Sequence, residues 1–170
     1  MHEGAVEQVE LLREATTMVL YLSVVEIAEV AALPESRSAT GATTGAVGPT
    51  LLALIWGTAV GLALAHWFAF RIAAPAFRGD RVTRHDNLVG LAQLGGAIFV
   101  ALVSSVPALL ADPHSSQLAT GLVLALLIGV VGYVIARTSG RSHTSSIFYG
   151  LTALALGVLV AFVKNALATH

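Results

Sequence analysis

The sequence predicts an all-α integral membrane protein, a bundle of five transmembrane helices with the N-terminus cytoplasmic and the C-terminus outside. Three observations carry that expectation. Of 170 residues, 56% are hydrophobic and only 11% charged, with a mean hydropathy of +0.81. Apolar surface then exceeds what a soluble domain of this length buries, and lipid must cover the remainder. Apolar stretches near residues 16–33, 51–70, 88–111, 118–136 and 147–163 each have about the 17 to 25 residues a helix needs to cross a hydrocarbon core. With the first segment inside, the inner connections hold Arg13, Arg71, Arg78, Arg81, Arg84, Arg137 and Arg141 and the outer ones only Arg37 and Lys164, seven against two. A bias of that sign sets orientation.

Composition also excludes several classes. The chain has no cysteine and a formal net charge of −1, so disulfides and thiolate metal sites are ruled out and no nucleic-acid partner is indicated. No phosphate-binding loop, paired-histidine zinc motif or activated-serine elbow occurs, so no catalytic residue, metal or cofactor is expected and an enzyme is not the reading. The prevalence of Arg over Lys, with abundant Ala and Gly, suggests a bacterial source, hence the inner membrane as a multi-pass location.

Residues 1–15 read as an acidic cytoplasmic helix leading into the first span: Glu3, Glu7, Glu10 and Glu14 share one face, and Ala5, Val6, Val9 and Leu12 the other. The acidic start lacks the basic region of a secretory signal, so the first apolar stretch is expected to be retained. Residues 16–170 form a single transmembrane domain. Residues 34–49, rich in Gly, Ser, Thr and Ala, read as a flexible loop. In the second span Gly57, Gly61 and Ala65 recur every fourth position, a ridge expected to let the first and second spans approach closely. Residues 71–86 form a basic connection. The third span carries Gln93, Gly95, Gly96, Ser104, Ser105 and Pro107, with a kink expected at the proline. A turn at Asp112, Pro113 and His114 leads to the fourth span, with Gly121, Gly129 and Gly132, and a basic turn at 137–146 to the fifth. Lys164, at its outer end, is expected to snorkel to the interface.

The candidate site lies in the first span. Counting a rise of about 1.5 Å per residue from Thr16 puts Glu26 about 15 Å deep, near the midplane, and Glu29 about 5 Å further out. A charged acid at that depth costs about 2.5 to 3.5 kcal/mol on insertion scales, so something must compensate. Glu26 and Glu29 lie on neighbouring parts of one helix face, which Ser23 extends inward by a turn. Such a pair is expected to keep at least one proton and to titrate as a unit. His66, about 7 Å from the inner boundary, falls level with residues 21–23 if the second span is antiparallel to the first, and is the third candidate. Glu26, Glu29, His66 and Ser23 therefore form the expected proton- or cation-binding set. The structural alternative satisfies the acids with Thr58, Gln93, Ser104, Ser105 or a carbonyl freed near Pro107, fixing helix register alone.

Two functions fit. One is a small transporter or channel subunit that moves a proton or small cation on the acid pair, as a homo-oligomer because five short helices leave little room for a private pathway. The alternative is a non-transporting scaffold, assembly factor or accessory protein of the lipid bilayer.

Overall fold

Five helices follow one another along the chain: α1 (His2–Ala31), α2 (Gly48–Arg78), α3 (Arg84–Leu110), α4 (Ser116–Thr138) and α5 (His143–Ala168). The computed structural model describes residues 2–33, 36–37, 43–44, 48–78, 84–112 and 115–168. Arg81, Pro113, His114 and the tail at His170 lie outside the described residues, as do the side-chain placements of Glu3, Arg78 and Lys164. Within the connection after α1, Ser36 pairs with Thr44 and Arg37 with Thr43 in a two-residue antiparallel ladder. The stretch expected to be a flexible loop thus contains a local pairing among its described residues.

Four of the helices are long and apolar enough to cross a membrane, over Gly48–Ala69, Arg84–Leu110, Ser116–Thr138 and His143–Val160. They carry large exposed side chains such as Leu102, Leu109, Leu122, Leu126, Phe148 and Leu159. Apolar exteriors of this extent suit contact with lipid, and the chain has the architecture of a helical, multi-pass membrane protein. Helices α2, α4 and α5 run past both ends of the apolar stretches that mark them in the sequence, and α1 and α3 begin before theirs. Helical hydrogen bonding continues until a terminating signal rather than until hydrophobicity ends, and α2 continues through 71–78, half of the expected basic connection.

Helix α1 is not one of the four, and its position explains how it tolerates its acids. It packs against α3, α4 and α5, with a lighter contact to α2. Its second half is buried on most sides, including Met18, Leu22, Ser23, Glu26, Ala28 and Val30. The least apolar helix is therefore the central one, and the more apolar helices stand between it and lipid.

Specific pairs fix the packing directions. Gln93 Nε2 donates to Glu14 Oε2 at 3.1 Å, and a Cβ on Gly96 would meet the Ala15 carbonyl oxygen at 2.6 Å, so α1 and α3 run parallel and in close contact. Antiparallel α2 meets α3 where Arg71 donates to Asn87 (2.8 Å), Trp67 covers Gly90 and Trp56 Nε1 donates to Ser105 Oγ (3.1 Å). Helices α4 and α5 pack antiparallel through small residues: a Cβ on Gly150 would lie 2.6 Å from the Gly129 carbonyl oxygen, and one on Gly132 2.9 Å from the Ala153 Cβ. On its inner face α4 presents a single every-fourth ridge of Ser116, Thr120, Leu124, Ile128, Gly132 and Ala136, the row that packs into a neighbour's grooves.

The ridge expected to join the first two spans does not do so. Gly57 and Gly61 have no atom within 4 Å of an added Cβ, and with Ala65 they lie on the exposed side of α2. Close approach is made instead at Gly96, Gly129, Gly132 and Gly150. A small-residue repeat permits contact, but the large apolar residues on the other face of α2, Leu51 and Ile55, gain more by burial and turn that face inward.

Helix ends are closed by identifiable partners. Gly140, at φ +78, ends α4: its N–H donates to the Arg137 carbonyl (3.0 Å) and that of Arg141 to the Ala136 carbonyl (3.2 Å). These two bonds form the Schellman pattern, which favours glycine. At the end of α1, Gln117 Nε2 donates to the carbonyls of Val30 (2.8 Å) and Leu33 (3.2 Å), satisfying acceptors that a helix terminus leaves open. The bundle thus has a His85 end, where α3 and α5 begin, and a Gln117 end, where α1 and α3 finish and α4 begins.

Candidate functional site

The environment of Glu26 follows from its position on the central helix. Its residue is 1% exposed, and neither carboxyl oxygen has a hydrogen-bond partner. Ser104 on α3 and Glu29 one turn along α1 are the polar side chains that act on it. The Ser104 hydroxyl is nearby, yet its proton is directed to the carbonyls of Val100 (2.8 Å) and Ala101 (3.3 Å). Ser23, fully buried and three residues before Glu26, likewise donates to the Val19 carbonyl at 2.7 Å. Hydroxyls that give their proton to their own helix leave lone pairs to offer, and a carboxylate also only accepts. Ser104 is thus the described side chain that can act as a donor to Glu26, and while its proton stays within α3 it and Ser23 present lone pairs. A proton or cation held at Glu26 would satisfy them.

Glu29 is in a different state. It is half-buried, and Thr58 Oγ1 donates to its Oε2 across the α1–α2 contact. The other partners offered by the structural alternative are also accounted for. Gln93 binds Glu14, and Ser105 donates to the Ala101 carbonyl (2.6 Å) while accepting from Trp56. Glu26 receives none of these bonds. The two acids read as a pair in the sequence separate into one satisfied acid and one orphan.

His66 stands apart from both. It lies on the exposed side of α2, and its ring is tilted at 48° to that of Tyr21, centroids 5.9 Å apart. The antiparallel arrangement brings it level with Tyr21, but on the outer side of α1 rather than on the face holding Glu26.

A second polar cluster, at the His85 end, has only half its signal in the sequence. His85 Nε2 lies 3.3 Å from Glu10, and Nδ1 3.8 Å from Glu7. Arg13 sits 3.1 Å from Glu14 and 4.0 Å from Glu10. The spacing of the glutamates marks their shared face. The residue that meets them opens α3, and only the parallel packing of α1 on α3 reveals it. No group of three or more described His, Cys, Asp or Glu residues is arranged to hold a metal ion.

Between these regions lies an open apolar groove of about 710 Å³ among α1, α3 and α4, lined by Leu12, Val19, Phe99, Val130 and Val134 among others. On α1 the lining ends at Val19, about two turns short of Glu26.

No family model, curated protein or solved structure matches the chain.

Proposed function

We propose that this chain is a five-span protein of a bacterial inner membrane, N-terminus cytoplasmic and C-terminus outside, that binds a proton or small cation on Glu26 and moves it as a transporter or channel subunit. One observation carries the reading: a glutamate 1% exposed on the central helix with both oxygens unpartnered. Leaving a buried polar group unsatisfied costs about 1 to 3 kcal/mol. An acid kept at that cost, with the nearest hydroxyl engaged within its own helix, serves a ligand better than it serves packing. Orientation is supported by the described arginines Arg13, Arg71, Arg84, Arg137 and Arg141, which helix directions gather at the His85 end. Counting α1 as the fifth span follows from its central place among four apolar helices. A homo-oligomer is part of the proposal because the described core of one bundle is mostly apolar and five short helices leave little room for a private pathway.

The test is proton and cation flux in proteoliposomes. The native protein should conduct, and Glu26→Gln, which keeps size and polarity but cannot release a proton, should abolish flux while eluting as a folded protein. Undiminished flux in that variant contradicts the role of Glu26. The observation favouring a non-transporting scaffold or accessory protein is the apolar layer of Met18, Leu22, Val100, Leu124 and Ile128, and absence of flux in the native protein would select it.

A further inference from the structure

The surroundings of Glu26 are not symmetric along the membrane normal. Toward the His85 end, buried Ser23 stands one turn away with its hydroxyl given to the Val19 carbonyl, and beyond it the next polar partners on the α1–α3 seam are Glu14 and Gln93, twelve residues and about 18 Å from Glu26 along α1. The space between is filled by Met18, Leu22, Ala97, Val100, Leu124 and Ile128, each at most 3% exposed. The apolar groove on that side stops at Val19. Toward the Gln117 end, Glu29 follows after one turn, about 4.5 Å. It is half-buried, as is its partner Thr58.

We propose that in the resting state Glu29, held by Thr58, is the residue through which Glu26 exchanges its proton with the Gln117 end alone, the apolar layer closing the other end; flux then requires a second state in which that layer parts. The proposal rests on the reading of Glu26 as a proton-exchanging site. Thr58 donates to Glu29 Oε2, which leaves Oε1 as the oxygen that takes the proton. The protonated Glu26 carboxyl gives its proton to the Glu29 carboxylate, becoming carboxylate itself, and Glu29 passes the proton to water at the Gln117 end. Residues three apart on a helix are neighbours, so a rotamer change of Glu26 or one water bridges the two carboxyls. The other described side chains facing Glu26 contribute no charge: α1 adds Ser23, α3 adds Ser104, and the described titratable groups of α4 and α5, Tyr133, Arg137, His143 and Tyr149, belong to the His85 end.

Dicyclohexylcarbodiimide, which adds to a protonated carboxyl in apolar surroundings, is the probe. The full chain is placed in sealed vesicles of established orientation, the pH of each compartment is set independently, and the modified residue is found by mass spectrometry. Modification of Glu26 should fall as the Gln117 side is made alkaline and stay constant when only the His85 side is changed. Glu29→Gln should slow that response, and Leu22→Ser should make modification respond to both sides. Modification of Glu26 that follows the His85 side, or both sides equally in the native protein, overturns one-sided exchange while leaving Glu26 as a proton site. Modification that responds to neither side overturns both readings.

Discussion

Replacing Glu26 by leucine should stabilise the protein. Both Glu26 oxygens are buried without partners, a condition costing about 1 to 3 kcal/mol. Leucine has similar volume, and the walls around the site, including Leu22, Val100 and Leu124, are apolar. An imperfect fit of the new side chain offsets up to about 1.5 kcal/mol, so from the middle of each range the net gain is about 1 kcal/mol. For a chain of this size that corresponds to a rise in unfolding midpoint of about 2 to 4 °C. The assay is thermal unfolding in detergent, followed by the fluorescence of Trp56 and Trp67. Glu26→Gln, whose amide N–H groups can donate to the hydroxyl lone pairs beside it, should unfold at or slightly above the native midpoint. A midpoint several degrees lower for Glu26→Leu, in a variant that still elutes as folded protein, would mean the acid has a structural partner, and the argument from its isolation would fail.

Two further substitutions probe the packing. Gly96→Val places a side chain 2.6 Å from the Ala15 carbonyl oxygen and should cost about 1 to 3 kcal/mol by forcing α1 and α3 apart, whereas Gly61→Val, with open space around it, should stay within about 0.5 kcal/mol of native. Equal midpoints for the two variants would contradict the helix arrangement. Thr58→Val preserves shape but removes the donor to Glu29, and a loss of about 1 to 2 kcal/mol in the same assay is expected. An unchanged midpoint would show that the α1–α2 bond contributes nothing.

How far the sequence carried can be judged from particular residues. Apolar stretches located the four membrane-competent helices because hydrophobic length alone determines which segments lipid accepts. The first helix was legible as the odd one for the same reason: Glu26 and Glu29 stand out against an apolar run. What could not be read was which of two acids three residues apart finds a donor. That depends on Thr58, twenty-nine residues further on, and on the rotation of α2 that presents it. The small-residue ridge at Gly57, Gly61 and Ala65 misled because spacing declares what a helix face permits and not which face wins. The inward side of α2 was set by Leu51 and Ile55. His66 was placed at the right level and on the wrong side, since level follows from rise per residue but azimuth follows from packing. Gln117 capping the end of α1 carries no local signal, because the carbonyls it serves lie in another helix.

Infrared difference spectroscopy of the reconstituted protein across a pH titration measures most directly whether Glu26 takes up and releases a proton inside the bundle. A protonated-carboxyl band that disappears on raising the pH in the native protein, and is missing throughout in Glu26→Gln, is the predicted result. The same carboxyl signals in both proteins would contradict the account.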